Sequence, residues 1–573
     1  MSFLDKKTIK RSYSDFRQKL SDTFYDFSLF ERILVIFFAI AIVWSSFSIF
    51  IKVNDQFSFE RPKDGGSLKE GLLGTPRFVN PVLATSDTDR DLTALVYSGL
   101  LRLTNNGELI PDLAESYSIS DDGLTYYFKI KENAVFHDDT KITADDVIFT
   151  ILKTQDPTIK SPKRPNWDGV KIEKISDTEL EFVLSTPYAP FIYNTTLGVL
   201  PKHKWNEVTS EEFPFSSLNT SPIGSGPYKI NSVKEDENKI ITSYTLSSFE
   251  EFTLKEPYIS KISVLFYKNE ESILNAFNKK QIDSLHSVSP DRIKDINLKK
   301  SDLITLPYSR IFALFFNQNK SPVLTDKNVR ELLNTSIDRQ ALIDSTLEGY
   351  ATPLYSPLTL FATSTFETPD TAVATEAKKL TLLDKYNLNL ETEGDDDKQK
   401  IKFTITTSNV PEFIKVGEKL VETFNALGAE VDLKISDIND ITLNTIRPRE
   451  FEAILFGNVI NRDLDYYAFW HSSQRNDPGL NLSAYTSIES DVSLEKSRNS
   501  IDTEEKLPLL QKFEKEVIND VPAIFLYSPD FIYILPKKVT AQFPSIIVTP
   551  SDRYFEVYNW YIETERVWNI FAN

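Results

Sequence analysis

Cysteine and histidine, the residues that most often ligate transition metals, are scarce in this chain of 573 residues. The absence of cysteine excludes a disulfide, a thiolate nucleophile, a Cys-ligated zinc site and a lipidated N-terminal Cys. No two histidines have the i, i+3 or i, i+4 spacing that would place both on one metal. The four are His137, His203, His286 and His471. The sequence therefore predicts no metal site and no cofactor, and His137, in VFHDDT, is interpreted as a hydrogen-bonded structural residue.

Motifs for covalent catalysis and for phosphate binding are also missing. The chain has no G-x-S-x-G elbow. The segment IGSGPY, around Gly224 and Gly226, is interpreted as a turn, because Pro227 follows and no Lys-Ser/Thr completes a phosphate loop. A catalytic triad that assembles only in space stays open at this point. We predict that the protein is not an enzyme.

Composition narrows the class of protein further. The net charge of −19 argues against the basic surface that nucleic-acid binding requires. Apolar residues make up 41% and aromatic residues 12% of the chain, enough to build substantial cores. Because a typical domain has about 100 to 200 residues, two or more domains are expected.

The N-terminal region predicts one membrane-spanning helix. Residues 33–51, ILVIFFAIAIVWSSFSIFI, form an uncharged run of 19 residues, and a bilayer core takes about 20. A cleavable signal peptide is the alternative, but its apolar region usually has only about 7 to 15 residues. Basic residues before the run place the N-terminus in the cytoplasm and the rest of the chain outside the cell membrane. They are Lys6, Lys7, Lys10, Arg11, Arg17, Lys19 and Arg32.

The remaining sequence predicts mixed α/β structure. Residues 52–66 have the polar, Pro- and Gly-containing composition of a flexible linker. YSISDDGLTYYFKI alternates about a DDG turn and predicts a hairpin. One face of its second strand carries Leu124, Tyr126, Phe128 and Ile130.

Two further segments support this fold class. Thr143 is predicted to begin a helix, with Asp146 placed to close a capping box. KFTITTSN is followed by an amphipathic helix that ends at Gly428, and EVDLKI then alternates again. Strand, helix and strand in this order predict a parallel βαβ unit.

Several segments in succession resemble the oligopeptide, dipeptide and nickel-carrier family of solute-binding proteins, which deliver ligands to ABC transporters. The most specific resemblance covers residues 94–151 and includes ALVYSGLLRLTNNGELIPDLAESYSISDDGLTYYFKI. It continues through SPIGSGPYKI, FALFFNQNKSPVLTDKNVRELLNTSIDRQALI, NLSAYTSIESDVSLEKSR and VINDVPAIFLY. Nearly everything from Ser67 to the C-terminus is covered.

This resemblance implies an α/β, two-lobed periplasmic-binding-protein-like (type II) fold with an extra inserted domain, preceded by one transmembrane helix. A single ligand is expected between the lobes, and their closure would signal an ABC permease. The implied organisation is a cytoplasmic basic segment (1–32), a transmembrane anchor (33–51), a linker (52–66), lobe I (67–104, 220–318 and 525–573), inserted domain II (105–219) and lobe III (319–524).

The resemblance also nominates two carboxylates for binding a peptide amine. Peptide-binding members use an Asp in a loop after a strand, which corresponds here to Asp463 and Asp465 in NRDLDYYAFWHSS. A carboxylate there would form a charge-assisted hydrogen bond with an ammonium. Alternatively, both residues cap the helix near Tyr466. Leu464 stands where the family commonly has Pro, which leaves the alignment of this loop open.

Other candidate ligand-binding residues come from the same resemblance. An early loop beside the cleft carries Phe78, Asn80 and Pro81, and Trp470, Asn481 and Tyr485 lie in a segment that typically lines the pocket. The alternative for the aromatic residues is a place in the lobe core.

Three functions remain open from the sequence. The first is a monomeric, membrane-anchored receptor that passes peptides to ABC permease subunits. The second is a receptor of the same fold for a metal chelate or an oligosaccharide, and the third is an enzyme or assembly factor on this fold.

Overall fold

The computed structural model describes residues 27–359, 401–500 and 503–568. The basic residues predicted to lie in the cytoplasm, except Arg32, fall outside this part of the chain. Contacts divide the chain into one unit of Met1–Lys63 with Glu563–Asn573 and a second unit of Asp64–Ile562.

The first unit combines a long apolar helix with a two-stranded ribbon. The helix is Leu29–Phe57, and its segment Leu29–Ile49 is long and apolar enough to cross a membrane. Strand Ser58–Lys63 follows directly and pairs antiparallel with strand Glu563–Trp568. The helix and this strand together cover most of residues 52–66, and the linker predicted there stays a prediction. The polar composition of residues 58–63 also suits a solvent-exposed strand. The backbone hydrogen bonds of this strand depend on a partner strand that is distant in the sequence.

The second unit alternates strands and helices. Its strands are Ser67–Leu73, Leu101–Leu103, Leu109–Pro111, Ala114–Ile119, Thr125–Ile130, Lys171–Lys174, Glu179–Val183, Tyr228–Glu235, Ile241–Ser248, Lys261–Tyr267, Ser284–His286, Ser301–Pro307, Arg310–Phe316, Ala351–Pro353, Lys402–Ser408, Glu430–Ser436, Ala453–Val459 and Ala523–Pro536. Its α-helices are Asp87–Val96, Ala144–Gln155, Phe191–Asn194, Lys202–Trp205, Glu270–Asn278, Lys327–Thr335, Arg339–Leu347, Pro411–Asn425, Ile438–Ile441, Tyr467–Trp470, Ile488–Asn499 and Thr503–Asp520.

Strand Ala523–Pro536 joins two parts of a mixed sheet. Its first half pairs with Arg310–Phe316, and its second half pairs with Ser284–His286 and Ser301–Pro307. Strand Arg310–Phe316 also pairs antiparallel with strand Ala453–Val459. Its side chains pack in a buried core together with residues of the predicted lobe III. The predicted boundary at residue 318 places this strand in lobe I and its partner Ala453–Val459 in lobe III, and this boundary stays a prediction.

A four-stranded sheet lies within the predicted inserted domain. The predicted hairpin is confirmed as Ala114–Ile119 paired antiparallel with Thr125–Ile130. Tyr126, Phe128 and Ile130 are buried. The predicted capping partner is also confirmed, since the Asp146 carboxylate accepts the Thr143 N–H at 2.9 Å. The domain boundaries themselves stay a prediction.

The predicted βαβ unit is confirmed. Lys402–Ser408 and Glu430–Ser436 pair in parallel, and helix Pro411–Asn425 connects them. Gly428 has φ of +91°, a left-handed conformation that suits glycine at a helix end.

A buried ionic cluster fixes helix Asp87–Val96 in the second unit. Arg553 is fully buried, and its guanidinium lies 2.7 Å from the Asp91 carboxylate and 3.1 Å from that of Glu70. His286 contacts Asp91 at 3.0 Å. Removing one partner from such a cluster would leave a buried charge uncompensated, which is strongly destabilising. This helix supplies one wall of the site described next.

Candidate functional site

A cavity of about 590 Å³ lies in the second unit. Ligand pockets usually have about 300 to 1,000 Å³, so this cavity can hold a small molecule or a short peptide. Five distant parts of the chain line it: residues 81–112 with helix Asp87–Val96, the segment 163–198, Arg310, the segment 459–463 that follows a strand, and residues 548–555. A ligand that filled the cavity would contact all five parts.

Asp463 is one of the three acidic residues among those that line the cavity. The Asp465 N–H donates to Asp463 Oδ1 at 3.1 Å, and the Lys506 ammonium donates to the Asp463 backbone carbonyl. Burial raises the pKa of Asp463, with the nearby Asp465 charge acting in the same direction. An arriving ammonium would offset this cost, so Asp463 can bind a cationic group.

Asp465 is committed to protein contacts instead. Its Oδ1 accepts the Tyr467 N–H at 3.1 Å, as a helix-capping side chain does. Its Oδ2 lies 3.2 Å from Arg498 Nε and accepts the Tyr188 hydroxyl at 3.4 Å. The capping alternative considered for both aspartates therefore fits Asp465, whereas Asp463 faces the cavity.

The three residues predicted from the early loop, Phe78, Asn80 and Pro81, have different environments. Pro81 lines the cavity. Asn80 is fully buried, donates to Asn219 Oδ1 at 3.0 Å and accepts the Val82 N–H at 2.9 Å. Phe78 is partly buried and packs against the core. Neither Asn80 nor Phe78 is among the residues that line the cavity.

Trp470, Asn481 and Tyr485 form a packed group away from the cavity lining. Trp470 and Tyr485 are buried in a hydrophobic core, with ring centroids 6.1 Å apart. The Asn481 amide donates to the Tyr485 carbonyl at 2.9 Å and to the Trp470 carbonyl at 3.2 Å. Their contact with a ligand stays a prediction, and each of them has a structural role here.

Five basic side chains of the lining were not nominated from the sequence: Arg90, Arg102, Lys163, Arg310 and Arg462. They come from segments without a common motif, so only the folded chain brings them together. Two of them are paired. Arg102 Nε lies 2.7 Å from Asp112 Oδ2, and Arg462 Nη2 lies 3.3 Å from Asp552 Oδ2.

The other basic side chains have weaker compensation. Arg90 lies 3.8 Å from the half-exposed Asp87 carboxylate. Burial lowers the pKa of Lys163, and the Arg90 charge lowers it further. The Arg310 guanidinium lies 3.9 Å from the centre of the Tyr308 ring. Among the described residues, neither Lys163 nor Arg310 forms an ion pair, so the cavity can accept an anionic group as well as a cationic one.

Comparison with known proteins identifies the family. A family model described as "Bacterial extracellular solute-binding proteins, family 5 Middle" matches residues 108–479. The oligopeptide-binding protein AppA of Bacillus subtilis is 27% identical over 494 residues, which cover 84% of this chain and 89% of that protein.

Solved structures show the same fold. The ABC transporter substrate-binding protein CtaP of Listeria monocytogenes has a TM-score of 0.72 and 27% identity, and the match covers 87% of this chain and 100% of CtaP. NikZ of Campylobacter jejuni, solved with Ni(L-His), has a TM-score of 0.66 and 25% identity over 87% of this chain and 100% of NikZ. The predicted type II periplasmic-binding-protein fold is confirmed. The chain belongs to family 5 of the bacterial extracellular solute-binding proteins.

Proposed function

We propose that this protein captures peptides in the cavity and delivers them to an ABC permease. The observation that carries the proposal is the Asp463 carboxylate, which faces the cavity and accepts a backbone N–H from Asp465. A peptide amine is an ammonium at neutral pH and would complete the bonding of this carboxylate. The 27% identity to an oligopeptide-binding protein over most of both chains supports the same ligand class.

Closure around the ligand would convert binding into a signal. Tyr188 and Asp465 are 277 positions apart in the sequence, yet the Tyr188 hydroxyl donates to Asp465 at 3.4 Å. The Arg498 guanidinium lies 5.0 Å from the centre of the Tyr188 ring. A ligand that touches all cavity walls stabilises the arrangement in which these contacts form. The permease then engages the closed protein in preference to the open one.

The apolar helix would hold this receptor at the membrane. Its segment Leu29–Ile49 has large side chains that are exposed to the surroundings, as a bilayer-spanning helix requires. Basic residues before it keep the N-terminus in the cytoplasm. We therefore propose a single-pass, uncleaved anchor with the solute-binding part outside the cell.

A metal chelate is the second candidate ligand. It is favoured by the similarity to NikZ, whose structure contains Ni(L-His). A chelated metal needs no protein ligand of its own, because the chelator supplies the donor atoms. The basic side chains of the cavity could bind the chelator's carboxylates.

Native mass spectrometry of the full chain in detergent micelles tests which ligand travels with the protein. Heterogeneous peptide masses released from the protein would support peptide capture and show the accepted lengths. A single mass with a metal isotope pattern would replace peptides by a chelate. The intact mass also tests the anchor, since cleavage after the apolar run would shorten the 65.6 kDa chain.

Replacing Asp463 tests the amine contact. Asp463→Asn removes the charge but keeps the side-chain size, so we expect peptide affinity to fall by more than about tenfold in isothermal titration. Asp121→Asn, which alters an exposed carboxylate in the hairpin turn, is the matched control. Equal affinities of the two variants would remove Asp463 from the proposed site.

A further inference from the structure

The cavity has the opposite charge balance to the chain as a whole. Five Arg or Lys side chains and three Asp side chains line it, whereas the whole chain has 64 basic and 83 acidic residues. A cleft lined mainly by one sign of charge concentrates ligands of the opposite sign. This local excess of positive charge requires an explanation that net charge does not give.

Ion pairs within the cavity lining compensate only some of its basic side chains. Asp112 is paired with Arg102, and Asp552 with Arg462. Asp552 is further occupied, since it accepts the Val548 N–H and the Thr549 hydroxyl, each at 2.8 Å. Its carboxylate thus already has three partners, one of them a guanidinium, and is a poor partner for a second basic group.

Arg90 lies 3.8 Å from the half-exposed Asp87 carboxylate. Lys163 and Arg310 are therefore the lining cations that have no ion pair among the described residues. Lys163 is partly buried, and the acidic group among the described residues that raises its pKa is Asp552, which is already paired with Arg462. Arg310 Nε is buried without a hydrogen-bond partner among the described residues. The nearby Glu412 carboxylate accepts a hydrogen bond from the Tyr527 hydroxyl at 2.8 Å, and it does not form an ion pair with Arg310. Partly buried cations without a carboxylate partner are costly, unless a ligand supplies the missing charge.

The two cations are placed on different walls. Arg310 begins a strand and is paired in register with Val459, close to the segment that carries Asp463. Lys163 lies in the segment that follows helix Ala144–Gln155. A ligand whose amine is held at Asp463 could therefore place carboxylates at either cation.

We propose that Lys163 and Arg310 bind carboxylates of the ligand, so that the receptor selects acidic peptides over neutral ones. The inference rests on the proposed function, because it names the class of peptide for the same cavity. A carboxylate could come from a Glu or Asp side chain or from the C-terminus of the peptide. Both sources share the same chemistry of bidentate or point-charge recognition.

The test uses alanine pentapeptides and the full chain in detergent micelles. Isothermal titration compares peptides with one Glu at each inner position with their Gln counterparts, each with a free and an amidated C-terminus. We expect at least one Glu peptide to bind about tenfold tighter than its Gln counterpart. The variant Lys163→Gln/Arg310→Gln should lose this preference, and Lys299→Gln/Lys300→Gln, which neutralises two exposed lysines, should keep it.

The outcomes separate this inference from the proposed function. In one outcome, amidation of the C-terminus lowers the affinity, this effect depends on the same two cations, and Glu peptides bind no tighter than Gln peptides. The bound carboxylate would then be the peptide C-terminus, and selection of acidic side chains would be overturned. Equal binding of all peptides would overturn the inference and leave peptide capture standing. Failure of every peptide to bind would overturn both. If the double variant unfolds, Lys163→Gln alone must reduce the preference, and an unchanged preference would contradict the role of Lys163.

Discussion

Asp463 and Asp465 are two positions apart but have different environments. Asp465 contacts Arg498 and Tyr188, whereas burial raises the pKa of Asp463. The sequence nominates both residues through one loop. It could not separate them, because the contacts that distinguish them come from segments more than 30 positions away. Only one of the two carboxylates is left to meet a ligand.

His137 is a partly buried histidine whose ring forms hydrogen bonds to the IGSGPY turn. Its Nε2 lies 3.0 Å from the Gly226 carbonyl, and the Gly224 N–H approaches Nδ1 at 3.4 Å. These contacts fit a neutral ring with the proton on Nε2. Burial lowers the pKa of His137 to about 4. The structural interpretation made from the sequence fits these hydrogen bonds.

This pKa predicts an acid-sensitive contribution to stability. Because the folded pKa lies below the ordinary His value, the unfolded chain binds the proton first, and stability falls as pH drops from about 6.5 to about 4. The loss stays below about 3 kcal/mol, since the ring is partly screened by solvent.

Thermal unfolding between pH 7 and 4 measures this effect. His137→Gln keeps a donor for the Gly226 carbonyl but cannot titrate. We expect the unfolding temperature of this variant to depend less steeply on pH than that of the unaltered protein. Parallel curves would show that His137 is not responsible for the acid response.

At the scale of elements, the IGSGPY turn is held against the end of helix Asp87–Val96. A Cβ on Gly224 would lie 2.0 Å from the Val96 carbonyl oxygen, and one on Gly226 would lie 2.6 Å from the Tyr97 nitrogen. The Gly226 N–H donates to the Val96 carbonyl at 2.8 Å. Glycine is required here by close backbone approach, which agrees with the turn predicted from the sequence.

Gly226→Ala should therefore destabilise the fold. The added methyl group must displace backbone atoms, and overpacking of this kind costs about 1 to 3 kcal/mol. Urea unfolding followed by tryptophan fluorescence measures the loss. Ser225→Ala, in the same turn, is the control because its hydroxyl is buried without a partner among the described residues. An equal loss in both variants would contradict the close-approach argument.

Local sequence patterns predicted those strands and helices whose own residues carry the necessary alternation, turn and capping signals. The hairpin and the βαβ unit follow from alternation, turn residues and a helix end, and these elements form as predicted. Strand Ser58–Lys63, SFERPK, was missed because its charges and Pro62 disfavour a strand by propensity. Its partner lies about 500 positions away, where no local rule reaches.

At the scale of the whole molecule, the cavity shows why the site was only partly predictable. Pro81 and Asp463 were nominated because they stand in segments that resemble the family. Lys163 and Arg310 stand in no such motif, and the topology alone brings them to one cavity. Under the proposed function, sequence resemblance therefore indicates where a ligand would bind, whereas the charge preference of the cavity would depend on side chains contributed by unrelated segments.

The ribbon pairs the strand that follows the apolar helix with the last strand that the structure describes. Strands Ser58–Lys63 and Glu563–Trp568 are joined by three cross-strand ion pairs, including Arg61 with Glu565 at 2.6 Å. Exposed ion pairs contribute only about 0 to 1 kcal/mol each, and an isolated two-stranded ribbon is marginally stable. The pairing would nevertheless tether the C-terminal strand to the segment that directly follows the apolar helix.

Engineered cysteines can test this register without interference, since the chain has none of its own. Phe59 and Val567 are directly opposed, so Phe59→Cys/Val567→Cys should form a disulfide under mild oxidation. Phe59→Cys/Arg566→Cys is the control, because neighbouring positions on a strand point to opposite faces. After denaturation, maleimide mass tagging should find no free thiol in the first variant and two in the control. Equal tagging of the two variants would mean that the strands do not pair in this register, and the C-terminus would then lack its tether beside the helix.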